Sequence, residues 1–213
     1  MSPEAQRVPV CVFAKPPVAG EVKTRLSRGI GAARAARLAR AFFHDTWATV
    51  RALPWARPIL ASTTADTSAF ELASDDVEVW LQGPGDLGER MERILARGLA
   101  EAGLALLIGA DIPGLPPAHL EQARAVLGRN EAVLGRTEDG GFYVIGLSRL
   151  PPGLLADLPW GSPDTLARTE ERLTRAPSWF DVDETDDLAR LRRRLADDPR
   201  AAPQTWLALS GPA

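Results

Sequence analysis

The chain is poor in the residues that build several common kinds of site. Cysteine occurs once, as Cys11, so an internal disulfide framework and a cysteine-based zinc site are both excluded. The two histidines, His44 and His119, lie far apart in the sequence and do not suggest a histidine-rich metal centre. The longest apolar run, residues 103–110, is much too short to cross a bilayer. Met1–Val10 carries Glu4 and Arg7 and lacks an extended apolar stretch, so it does not read as a secretory signal. A reducing cytoplasm is the expected location. Positive charge is not in excess: 25 Lys and Arg face 28 Asp and Glu, for a net charge of -3, which disfavours nucleic acid and anionic membranes as partners. Two nucleotide motifs are also missing. A Walker A loop would need glycine at Pro17 and Val22, and no GxGxxG pattern occurs.

The rest is ordinary for a globular domain: 213 residues, 45% of them hydrophobic and 25% charged, enough for one domain over 1–213 and too few for two. Strand-like and helix-like segments alternate. Val8–Ala14, Pro58–Ser62, Val77–Leu81, Leu104–Gly109, Ala132–Gly135, Phe142–Leu147 and Trp179–Val182 read as strands. Gly31–Leu53, Leu87–Ala102, Pro117–Leu127, Ser162–Thr174 and Glu184–Leu195 read as helices, and the Pro- and Ala-rich tail from about residue 198 as irregular. Alternation of this kind predicts an α/β fold, a mostly parallel Rossmann-like sheet with helices on both faces. Ligands of such sheets bind beyond the carboxyl ends of the strands.

The unusual residues fall at those ends. After the first strand, Lys15, Lys23 and Arg25 come within eleven residues, beside Gly20, a combination suited to phosphate. A plain surface loop is the alternative. Asp111 follows the apolar LALLIG run and is held among prolines and Gly114; a carboxylate there suits Mg²⁺ or Mn²⁺, and otherwise makes Asx-turn bonds. Asp86 and Glu89 form a capping-box pattern, while Gly85 and Gly88 would let a base or ribose approach. Glu138-Asp139-Gly140-Gly141 reads as a hairpin turn that could present Asp139 to an acceptor, with Tyr143 lining the pocket. Asp183, with Asp181, ends the last strand and is a second candidate metal carboxylate or else an N-cap. Cys11, His44 and His119 read as structural, and Trp80 and Trp160 as core or pocket wall.

The segments VFAKPPVAGEVKTRL, GDLGERM, LIGADIPGLP, GRTEDGGFYVIGL, PWGSPDTLARTEERL and FDVDETDDL occur in this order. Together they resemble the small glycosyltransferase-like transferases, of the radical-SAM/selenodomain-associated type, that neighbour the 2-phospho-lactate guanylyltransferases. The resemblance runs from about Val8 to Leu191. It implies the glycosyltransferase-A, or nucleotide-diphospho-sugar transferase, fold. It also implies a divalent cation held by Asp111 and Asp183, and a phosphate role for Lys23 and Arg25. Asp111 stands in a lone GADIPG instead of a full Asp-x-Asp, and KPPVAGEVKTR replaces the usual GxGxR loop.

The expected activity is transfer of a nucleotidyl group from an NTP to a small, phosphorylated or anionic acceptor, releasing pyrophosphate. Lys15, Gly20, Lys23, Arg25, Asp86 and Gly88 would bind nucleotide, Lys23, Arg25 and Asp139 would act in catalysis, and Asp111 and Asp183 would hold Mg²⁺ or Mn²⁺. Glycosyl transfer from a nucleotide sugar is the alternative, with Asp139 as base, and a non-catalytic nucleotide-binding regulator is a third. A homodimer is left open.

Overall fold

Val8–Ala14 (VPVCVFA, β1) offers no face that tolerates water, and six of its seven residues are buried. A strand apolar on both faces belongs in the middle of a parallel sheet covered by helices. In the computed structural model, which describes residues 7–72, 77–138, 140–151, 153–155, 158, 160 and 174–210, it takes that place. The other strands are β2 (Ala56–Ser62), β3 (Glu78–Leu81), β4 (Ala105–Gly109), β5 (Ala132–Thr137), β6 (Phe142–Leu147) and β7 (Thr174–Trp179). They form one seven-stranded sheet in the order β3-β2-β1-β4-β6-β5-β7. All neighbours are parallel except β6, which runs antiparallel to both β4 and β5.

The helices are α1 (Thr24–Ile30), α2 (Ala32–Arg51), α3 (Leu87–Ala102), α4 (Pro117–Leu127), α5 (Thr185–Asp197) and α6 (Pro203–Ser210). Strand alternation divides the core into two layers. Val10, Val12, Leu106 and Ile108 face a cluster with Leu38, Phe42 and Val50 of α2, Leu120 of α4 and Leu191 of α5. Cys11, Ala105 and Leu107 face the other side, against Met91, Ile94 and Leu95 of α3. Cys11 is fully buried, and burial pushes its thiol well above the ordinary value, as suits a small hydrophobe.

Two expectations are corrected, and one helix is added. The tail is not irregular: α6 is docked by Asp45 of α2, whose carboxylate accepts from the Gln204 and Thr205 N–H groups at 3.0 and 2.7 Å. Pro203 at the first helical position has no N–H to satisfy, so one distant side chain caps the open turn. The last strand is β7, ending at Trp179 where the expected one begins. Thr174 starts that strand instead of ending a helix, and residues 162–173 of the expected helix lie outside the described residues. Finally, the chain between β1 and α2 contains a separate seven-residue helix, α1.

Candidate functional site

Topology brings one set of chain ends to one edge. β1 and β4 are parallel, so the residues after Ala14 and after Gly109 emerge together. Because β6 runs the other way, its start at Phe142 lies at the same edge, as does the hairpin from Thr137 to Gly141. β7 is parallel to β5, so Asp181 and Asp183 follow it there as well. A cavity of about 840 Å³ opens at this edge. Lys15, Lys23, Thr24 and Arg25 line one part, Asp111, Asp181 and Asp183 another, and Leu87, Met91, Phe142, Tyr143 and Trp160 a third.

At its centre is an ion-pair triad. The Lys23 ammonium donates to Asp111 Oδ2 at 2.5 Å and to Asp183 Oδ1 at 2.6 Å. The Lys23 side chain is only 9% exposed, whereas those of Asp111 and Asp183 are 35% and 40% exposed. Burial alone would lower the Lys23 pKa, but the two carboxylates outweigh it and hold the ammonium above the ordinary lysine value. Burial would likewise raise Asp111, and the Lys23 charge beside it holds the carboxyl below its usual range. Lys23 has φ 47 and ψ 45, a left-handed backbone that is strained for a side-chain-bearing residue.

Asp183 is not the N-cap of α5. Glu184 takes that position, and Asp187 accepts from the Asp183 and Glu184 N–H groups at 3.3 and 3.0 Å. The carboxylate of Asp183 is thereby left to the cavity. Asp181 and Asp183 do not lie in a strand, yet both reach the lining.

Other sequence-predicted residues behave differently. Gly20 sits on the exposed crest of the loop with φ +88 and open space around it, and is not among the lining residues. Asp86 uses its side chain as the N-cap of α3, accepting from Glu89 N–H at 2.9 Å in a full capping box. At Gly88 a Cβ would stand 2.1 Å from the Leu155 carbonyl oxygen, so the glycine is required for close approach of the chain's own backbone. The hairpin forms as expected, with Thr137 N–H donating to the Gly141 carbonyl at 3.0 Å. Asp139 itself lies outside the described residues. Tyr143 is buried, and burial raises its hydroxyl pKa. Trp80 fills the sheet edge beneath Arg97, 4.2 Å away, while Trp160 joins the cavity wall. His119 packs edge-on to the Tyr143 ring.

Sequence reasoning passed over Asp45 and Met91, and read Asp187 only as complementing the dipole of the last helix. Their signals were faint: an acid on a helix, one apolar residue in an amphipathic helix, and an acid three residues past a cap. A stronger signal also went unused. Lys15 and Lys23 are the only two lysines among 25 basic residues, and both line the cavity.

Asp111 and Asp183 fit a divalent cation. They offer hard oxygen ligands that already converge on one positive charge. Among the described residues no group of three or more metal-ligating side chains occurs. Mg²⁺ and Mn²⁺ commonly rest on one or two carboxylates and complete their shell with substrate phosphates and water. No helix among the described residues is long and apolar enough to cross a membrane.

No curated protein matches the chain significantly in sequence. Solved structures do match. A candidate nucleotide-diphospho-sugar transferase from Desulfovibrio desulfuricans G20 is 27% identical, with TM-score 0.83 over 95% of this chain and 93% of its own. Rv0371c from Mycobacterium tuberculosis H37Rv, in complex with manganese, is 20% identical, with TM-score 0.55 over 87% of this chain and 97% of its own. CMP:2-keto-3-deoxy-manno-octonic acid synthetase, complexed with CTP, is 9% identical, with TM-score 0.56 over 90% of this chain and 99% of its own. The two more distant likenesses show the fold alone. The fold is that of the nucleotide-diphospho-sugar transferases, as the resemblance in sequence implies, and the 27% identical relative is a transferase by name. A family model matches residues 46–162, more than half of the sequence, and the chain therefore belongs to DUF2064, described as an uncharacterized protein conserved in bacteria.

Proposed function

We propose that this protein is a divalent-cation-dependent nucleotidyltransferase that moves a nucleoside monophosphate unit from an NTP to a small acceptor. One observation carries the reading. Lys23, Asp111 and Asp183, up to 160 residues apart in sequence, meet in one ion-pair triad within the cavity at the carboxyl edge of the sheet. Such edges are where α/β sheets bind ligands.

In this reaction an acceptor oxygen attacks the α-phosphorus of the NTP. The bond from that phosphorus to the bridging oxygen breaks, and pyrophosphate leaves with the electron pair. The proton of the acceptor passes to a base or to solvent. Arg25 and Lys15 are exposed on the cavity wall and would receive the β- and γ-phosphates through charge-assisted hydrogen bonds. Lys23 would add a third positive charge against the departing pyrophosphate. Asp111 and Asp183 would hold the cation, which supplies charge neutralisation at the phosphate oxygens when bound. Phe142 and Trp160, in edge-on contact with centroids 6.1 Å apart, offer an aromatic wall for a base or acceptor. The Asp139 carboxylate is assigned the role of base from its place in the hairpin sequence.

Glycosyl transfer from a nucleotide sugar is the second reading, favoured by the name of the 27% identical structural relative. The dense cation loop ranks nucleotidyl transfer first, because a triphosphate carries more charge to neutralise than a diphosphate donor. The test begins with thermal shifts for the four NTPs and a set of nucleotide sugars, with and without Mg²⁺. The stabilising nucleotide is then incubated with an acceptor panel. Pyrophosphate release with a nucleotidylated product is the expected result. Free nucleoside diphosphate from a nucleotide sugar, with a glycosylated product, would decide for the second reading.

A further inference from the structure

We propose that Lys23 is a displaceable internal cation: in the nucleotide-free protein its ammonium occupies the position between Asp111 and Asp183 that a divalent cation takes, and phosphate oxygens draw it away. The inference rests on the reading of those two aspartates as cation ligands.

The geometry makes the two cations competitors. One ammonium touches an oxygen of each carboxylate, at 2.5 and 2.6 Å, with its side chain nearly closed off from solvent. A metal ion bound by the same oxygens would lie within van der Waals distance of that ammonium, at a strongly repulsive separation of like charges. Charge balance agrees. Two carboxylates are compensated by one divalent ion if Lys23 leaves, and overcompensated if it stays.

The choice of residue agrees as well. This chain uses arginine almost wherever it needs a positive charge, yet lysine stands here and at Lys15. A compact ammonium on a flexible stem can stand between two carboxylates as a metal ion does. A planar guanidinium forks onto one carboxylate and exchanges partners less freely. Lys23 is also the N-cap of α1, its carbonyl accepting from Ser27 N–H at 2.8 Å, so its backbone is held by the helix while its side chain is held by the two ion pairs alone. Arg25, two residues on, and Lys15 line the same cavity, so a phosphate chain held there would offer Lys23 new partners nearby. By thermodynamic reciprocity, nucleotide and cation then raise each other's affinity through Lys23, beyond their direct contact with one another.

Mn²⁺ alone is the probe, with no nucleotide and no turnover. Its affinity is read from the electron paramagnetic resonance signal of the free ion, for the wild type, Lys23→Met and Asp111→Asn. In parallel, the wild type is acylated at its lysines with and without Mn²⁺, and labelling at Lys23 and Lys15 is compared by peptide mass. The second measurement needs no variant to fold. Expected results are Mn²⁺ binding about tenfold tighter in Lys23→Met than in the wild type, within the usual size of such couplings. Lys23 should be protected relative to Lys15 without metal and should become severalfold more reactive at saturating Mn²⁺. Equal or weaker binding in Lys23→Met overturns the proposal, as does Mn²⁺ saturation that leaves Lys23 protected. If that happens while Asp111→Asn loses Mn²⁺, the cation site stands and only the displacement fails. Mn²⁺ binding by neither the wild type nor Lys23→Met, or equal binding in Asp111→Asn, overturns the cation reading as well.

Discussion

Two aspartates in this molecule, one buried and one half-buried, are treated in opposite ways. Asp45, 4% exposed beneath α6, is held by backbone N–H groups of Gln204 and Thr205. Burial pushes its carboxyl above the ordinary value, and those hydrogen bonds recover only part of the cost. Asp111, at the cavity, is held by the Lys23 ammonium, and its carboxyl falls below the ordinary value. The donors on Asp45 are rigid and belong to the fold. The donor on Asp111 is a side chain with a flexible stem, which can leave. A carboxylate satisfied by backbone is committed to structure, whereas one satisfied by a movable charge can exchange that charge for a ligand.

The largest expected effect falls on the site side. Asp111→Asn should lower metal-dependent turnover by roughly 10²–10³-fold, the range for loss of one electrostatic contact to a transition state. Its melting temperature should change little, because Asn keeps the shape and the loop's hydrogen bonds. Specific activity and melting measured together across a Mg²⁺ titration check this. An earlier melt with activity per folded molecule intact would place Asp111 with Asp45, as structure.

Asp45→Ala should show the reverse pattern. Two charge-assisted bonds and the docking of α6 are lost, at a cost of about 1.5–3 kcal/mol. For a chain of this size each kcal/mol corresponds to about 2–4 °C in melting temperature. Nucleotide affinity, measured by calorimetry below the melt, should be unchanged, and a parallel loss would mean that the two regions are coupled.

Arg25→Ala tests the phosphate wall. Arg25 is exposed, so its loss should leave stability intact and weaken NTP binding by about tenfold, near the lower end for a charged hydrogen bond. Titration of the stabilising NTP by thermal shift reads it, and an unchanged affinity returns this loop to an ordinary surface role.

The smallest effect is in the pH dependence of stability. The Asp111 pKa is lowered from 3.8, so its contribution is present above that value and lost as pH falls through the folded value. The Lys23 pKa is raised from 10.5, so its contribution is present below that value and lost as pH rises through the folded value. The pair therefore stabilises across the interval between. In Lys23→Met, burial at Asp111 is opposed only by a backbone hydrogen bond, and its pKa rises relative to the wild type. The melting-temperature deficit of this variant should widen as pH rises from about 3 to 7, by an amount near the ~1 kcal/mol scale of partly exposed pairs. A deficit independent of pH would show that the stem of Lys23, not its charge, supports the fold.

How much of this was legible beforehand depended on range. β1, β6, α3 and α4 were read to their ends, because apolar runs, amphipathic periodicity and the Asp86–Glu89 capping box are local signals. β7 was misplaced and α6 missed. The cap of α6 comes from Asp45, 159 residues before Gln204, and no window along the chain contains both. The cavity-lining loops were visible as residue types at strand ends, while the packing of Gly88 against the Leu155 carbonyl was not legible, because that carbonyl is also remote.

The sequence by itself determined the alternation of strands and helices, the apolar centre of the sheet, and the placing of cations and acids after strand ends. Propensity, period and turn chemistry act over a few residues, and they are written where they act. Only the tertiary structure decided that Lys23 sits between Asp111 and Asp183 and that Asp45 belongs to the tail. Those are pairings of single side chains across 88 to 160 residues. They are set by which strands lie side by side and which one runs backwards, and the order of the sheet settles that all at once.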